Sequence, residues 1–248
     1  MSGELLAELP TAILTGRSAV NALAEGRSVM LSGASDGADT LFGALALGCG
    51  HLVAHLLGPH NVPSAAARAG QQEALCHLDD GILHSELVDE VVDAIRRARY
   101  PNYASLAAFD RDWRKSRRNV LQVLCADAVY AVAYRAPSAS DSQTAACDVG
   151  GGTGYACQCY INRFQPLGPE AAASCRLYLY DDGAPEWAGC LKDARTHRRW
   201  SAWDPASQAW APLDGPPPRP EGVYAGIGST RLHPDFGDAA IRALMAPV

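Results

Sequence analysis

The sequence predicts an α/β fold, a Rossmann-like parallel sheet with helices on both faces. Three observations lead there. Short apolar runs of strand length alternate with amphipathic runs of helical period. Glycine-rich clusters carrying Ser, Thr or Asp fall at the joins between them. The chain has 248 residues, 48% of them hydrophobic and 19% charged, and no internal repeat, so one domain over 1–248 suffices.

The elements follow in order. Residues 17–26 read as a helix end closed by Gly26, and 28–32 as a buried strand, Ser-Val-Met-Leu-Ser, running into the loop Gly33–Gly37. A helix over 38–47 stops at Gly48 and Gly50, and Leu52–Leu57 is a second strand ended by Gly58-Pro59. Glu86–Arg97 places Leu87, Val88, Val91, Val92 and Ile95 on one helical face. Arg111–Leu124 is a further helix, leading into the strand 127–134. A polar stretch, 136–146, precedes Gly150–Gly154 and a helix from about Tyr155 to Asn162. Leu177–Tyr180 is another strand.

From Asp181 to Pro220 the composition changes, with Trp187, Trp200, Trp203 and Trp210 in one stretch. Arg198–Trp203 and Gln208–Pro212 form a Trp-rich β-hairpin, followed by a stiff Pro216–Pro220 linker. The tryptophans are expected to pack on the sheet edge. Gly222–Gly226 is the final strand, and a terminal helix spans about Asp235 to Met245.

Composition restricts function. A net charge of -6 speaks against a broad nucleic-acid surface, which needs clustered Lys and Arg. The local groups Arg96-Arg97-Ala98-Arg99 and Arg114-Lys115-Ser116-Arg117-Arg118 suit either a small anion or a solvated helix face. No apolar stretch is long enough to span a membrane, and Met1–Pro10 lacks the basic start of a signal peptide. The eight cysteines are scattered without a Cys-x-x-Cys pair, which fits reduced thiols in a cytoplasmic protein. The seven histidines are too dispersed for a metal site, and no cofactor is expected.

The chemistry gathers in three junctions: Ser32-Gly33-Ala34-Ser35-Asp36-Gly37-Ala38-Asp39-Thr40, Gly150-Gly151-Gly152-Thr153-Gly154, and Gly226-Ile227-Gly228-Ser229-Thr230-Arg231. Glycine admits close backbone approach and positive φ, and a following helix offers free N–H groups to an anion. In an open parallel sheet such loops meet at the carboxyl ends of the strands. The expected ligand is therefore phosphorylated, bound by Ser32, Gly33, Ala34, Gly37, Thr40, Gly151, Gly152, Thr153, Gly154, Gly226, Gly228, Ser229 and Arg231. Arg118 joins this set, and Arg135 is a further phosphate candidate. A Walker-type P-loop and a first-strand Gly-x-Gly-x-x-Gly fingerprint are both missing.

These three loops resemble those of the SMF/DprA–LOG (SLOG) superfamily of Rossmann-like domains, as does the helix Arg117-Arg-Asn-Val-Leu-Gln-Val-Leu124. The Gly-Ile-Gly-Ser strand that opens such domains stands last here, so the resemblance implies a circular permutation, with 181–220 as the joining piece. It implies two classes of function. One is hydrolysis of the N-glycosidic bond of nucleoside monophosphates, as in lonely-guy members. The other is a sensor or sequestering module for a nucleotide-derived signal. The lonely-guy glutamate falls on Gln158, which cannot bear the negative charge needed to stabilise an oxocarbenium-like transition state. Asp36 and Asp39 remain the candidate catalytic carboxylates, with turn and helix-start roles as their alternatives. Asn119 reads as a loop pin. The resemblance also permits a homo-oligomer.

Overall fold

The structure, a computed structural model, describes residues 25–58, 75–77, 83–112, 116–135, 147–164, 170, 173–182 and 198–246. The expected helix end before Gly26, the polar stretch 136–146, Trp187 and the basic residues 114–115 lie outside them.

Among the described residues, eight strands form one sheet: β1 Val29–Ser32, β2 Leu52–Leu57, β3 Leu75–His77, β4 Ala128–Ala133, β5 Leu177–Asp181, β6 Trp200–Asp204, β7 Ala209–Pro212 and β8 Val223–Gly228. Their spatial order is β3-β2-β1-β8-β4-β5-β6-β7. The pairs from β3 through β5 are parallel, and β6 and β7 add antiparallel strands at one edge. The helices are α1 Ala38–Gly48, α2 Glu86–Arg99, α3 Leu106–Asp112, α4 Ser116–Leu124, α5 Gly151–Phe164 and α6 Ala239–Met245. A π-helical turn, Pro234–Asp238, precedes α6.

The alternation of side chains along each strand sorts the core into two layers. Val29 and Leu31 of β1, Val129 and Ala131 of β4, and Ala225 and Ile227 of β8 face a layer shared with α2, α4 and α5. Met30, Tyr130, Val132 and Tyr224 face the opposite layer, against Phe42 and Ala46 of α1 and Ile241 and Leu244 of α6. Both faces of the central strands are thus covered, which is why their sequences read as unbroken apolar runs.

Some expectations need correction. Gly151–Gly154 are the first turn of α5 rather than a loop before a helix starting at Tyr155. The single helix expected over Arg111–Leu124 is represented by α3 and α4, with 113–115 outside the described residues. β3 was not expected, because three residues carry no readable period. The expected hairpin is formed by β6 and β7, and β6 pairs with β5 so that the hairpin extends the sheet. Its tryptophans still pack inward there, with Trp200 and Trp203 buried.

Candidate functional site

β8 lies between β1 and β4, and all three strands point the same way. The chain leaves β1 and β4 toward opposite sides of β8, so their carboxyl ends mark the point where strand order reverses. The three glycine-bearing segments meet at that edge.

The β1–α1 loop and the loop after β8 are in direct contact. Gly37, at φ 82°, leaves so little room that a Cβ would stand 2.3 Å from the Ser229 carbonyl oxygen. That carbonyl accepts the N–H of Ala38 at 3.0 Å. Gly228 is equally confined, because a Cβ there would sit 2.3 Å from the Val132 carbonyl oxygen. Ser229 N–H donates to the same Val132 oxygen at 2.8 Å, tying the loop to β4. These glycines let three backbones converge.

Within the β1–α1 loop the polar groups are held individually. Ser32 is buried and its hydroxyl accepts the Ala34 N–H at 3.0 Å, with Ala34 at φ 54°. Asp39, buried in the first turn of α1, accepts the Gly33 N–H at 3.1 Å. Thr40 donates its hydroxyl to the Ser35 carbonyl at 2.7 Å. Asp36 is exposed in the turn. Of the two candidate carboxylates, only Asp39 is therefore built into the loop.

Arg118, on α4, lies beneath this loop at 4% exposure. Its guanidinium donates to the Gly33 carbonyl and, at 3.0 Å, to Asn119 Oδ1. Its Nε has no hydrogen-bond partner among the described residues. Burial depresses the Arg118 pKa, and the neighbouring Asp39 charge opposes that shift. The Asn119 amide nitrogen lies 3.7 Å from where a Cβ on Gly152 would stand, so α4 joins the first loop to the start of α5. Gly151, at φ 62°, and Gly152 and Thr153 open α5 with no acidic residue in its first turn. Gly154 is buried, and its N–H donates to the Gly150 carbonyl at 3.1 Å.

Other expected site residues are placed differently. Gly226 lies inside β8, where a Cβ would stand 2.6 Å from Phe42, so its bareness serves packing. Arg231 is exposed in the loop after β8, and its main-chain N–H donates to the Ser229 hydroxyl at 3.1 Å. Arg135 forms an ion pair with Asp148. Gln158 is buried: its Oε1 accepts the Cys147 N–H at 3.2 Å and its Nε2 donates to Asn162 Oδ1 at 2.9 Å. Arg117 is no part of a solvated face; it is buried against Asp89, Asp110 and the Leu83 carbonyl.

Two residues escaped sequence reasoning. Gln122 of α4 donates its amide to the carbonyls of Leu31 at 3.1 Å and Gly226 at 3.4 Å, fastening the helix under β1 and β8. Asp182, just past β5, is buried and accepts the His233 N–H at 2.9 Å. The Gln122 signal was present in the motif around Arg118; Asp182 carried none. No family model, curated protein or solved structure matches the chain.

Proposed function

We propose that the chain binds a nucleotide or nucleotide-derived phosphorylated ligand at the carboxyl ends of β1, β8 and β4, as a sensor or sequestering module. The observation that carries this reading is Arg118. A guanidinium at 4% exposure with an unpartnered Nε is costly to fold around, and such groups concentrate where a protein needs charge for a ligand. Support comes from the glycine-rich entry to α5 next to Asn119, which leaves backbone close enough for an anion to approach. The three loops also resemble those of SLOG domains, with β8 as the permuted opening strand.

Binding without turnover is favoured over N-glycosidic hydrolysis by Gln158. Both ends of its amide are committed, to Cys147 and to Asn162, and an amide supplies no negative charge to a developing oxocarbenium. Hydrolysis is the second reading because Asp39 places a buried carboxylate at the same edge.

The test is native mass spectrometry of the purified chain, then incubation with nucleoside mono-, di- and cyclic phosphates followed by chromatography. Retention of an intact nucleotide is expected, and Arg118→Met should abolish it; because the substitution leaves buried Asp39 without its counter-charge, it should also cost about 3–5 kcal/mol of stability, so circular dichroism first establishes that the variant is folded. Release of free base that disappears in Asp39→Asn would establish the hydrolase. Binding of no member of the panel would overturn the reading.

A further inference from the structure

Asp182 belongs to none of the three loops, yet it is enclosed where one of them turns back toward α6. Its own N–H donates to the Ala133 carbonyl at 3.0 Å, fixing it at the end of β4. Its Oδ2 accepts the His233 N–H at 2.9 Å. Its Oδ1 is buried against Gly237, where a Cβ would stand 2.7 Å from the carboxylate, and makes no well-formed hydrogen bond. The carboxylate is therefore enclosed by residues 229–238 with one oxygen bonded and the other left without a good partner, which penalises its charged form.

The charged and titratable neighbours do little to relieve it. Asp181 and Tyr180 precede it on β5, and Asp181 adds like charge. His233 is the nearest basic group on the loop, and its Nδ1 is engaged by the Asp235 N–H at 3.2 Å. Asp238, on the same turn, is paired with Arg242. Arg198 lies over the Phe236 ring, 3.6 Å from its centroid.

We propose that Asp182 is a protonation-sensitive positioning residue: as an acid it lets residues 229–238 close on the end of β5, and as a carboxylate it loosens them. Closure buries the group, and opening returns it to water. Burial raises its pKa from the ordinary 3.8, Asp181 adds to the rise, and the N–H groups of His233 and Gly237 with the His233 side chain only offset it. The closed loop therefore holds the proton more tightly than the open one. Closure gains as pH falls through the raised value and is complete below the ordinary one; the gain is lost as pH rises. Because Ser229 and Arg231 ride on this loop, Asp182 governs how firmly they are presented at the edge of β8.

The test needs no ligand, so its failure leaves the binding proposal untouched. Amide hydrogen exchange of residues 229–238 is measured in the intact chain between about pH 4 and pH 7 and expressed relative to intrinsic rates. Protection is expected to rise by about threefold or more on acidification. In Asp182→Asn, which keeps an acceptor for the His233 N–H, protection should be high at neutral pH and flat. His233→Asn retains a helix-cap acceptor without titrating, and should preserve the rise. Should Asp182→Asn fail to fold, the carboxyl titration of Asp182 followed by NMR in the unsubstituted chain decides. A value at or below 3.8, or protection that is flat or falls on acidification, overturns the proposal.

Discussion

Single residues at the carboxyl edge act mainly by what they omit. Gly37 and Gly50 share a positive φ, 82° and 79°, yet a Cβ at Gly37 meets the Ser229 carbonyl whereas one at Gly50 meets nothing within 4 Å. Gly37 also has ψ -124°, a combination with positive φ that only glycine adopts readily, so both backbone strain and crowding fall on it. Gly50→Ala should lose only the conformational part, about 1 kcal/mol. Gly37→Ala should lose about 2–3 kcal/mol, because the loop after β8 must also move away. Urea unfolding midpoints of the two variants measure this; equal losses would mean that the contact with Ser229 is slack. The glycines were legible as loop formers from sequence. Which of them carries a steric burden was not, because the colliding atoms belong to residues nearly two hundred positions away in the chain.

At the scale of elements, legibility followed length and chemistry. β4 stood out because all six of its residues are apolar, β2 because all but His55 are, and α2 because its apolar positions recur at helical spacing. The start of α5 was hidden by its glycines, which oppose helix formation on their own and are held there by Gly150 and the packing of Tyr155. Asp182 was invisible for a related reason: its hydrogen-bond donor is the main-chain N–H of His233, 51 positions away. The hairpin was readable from its tryptophans, and it rests on them. Trp203 is 4% exposed and packs edge-on to Trp210 with ring centroids 5.3 Å apart. Trp203→Ala is expected to cost about 3–5 kcal/mol and to unpin β6 and β7 before the parallel strands. Hydrogen exchange would show this as loss of protection in 200–212 with 128–133 retained; uniform loss would mean that the hairpin is inseparable from the sheet.

For the whole molecule, the decisive feature is that β8 fills the middle of the sheet while following every other strand in sequence. Parallel neighbours lie about 4.8 Å apart, so removing β8 leaves a gap of roughly two spacings between β1 and β4. A chain ended at Pro220 should lose cooperative thermal unfolding, and a peptide covering 221–246 added in trans should restore it. Cooperative unfolding of the shortened chain at an unchanged temperature would show that β1 and β4 can close the gap themselves. The same arrangement orders events during biosynthesis. The ribosome delivers β1 and β4 with their facing edges unpaired, and they stay so while the hairpin and the proline segment emerge. For that interval the nascent chain carries a slot whose two sides are competent to pair wrongly with each other, the kind of exposed edge that chaperones shield. Translation of β8 closes the slot and, in the same step, brings Ser229 onto Ala38, so this edge is assembled only when the sheet is complete.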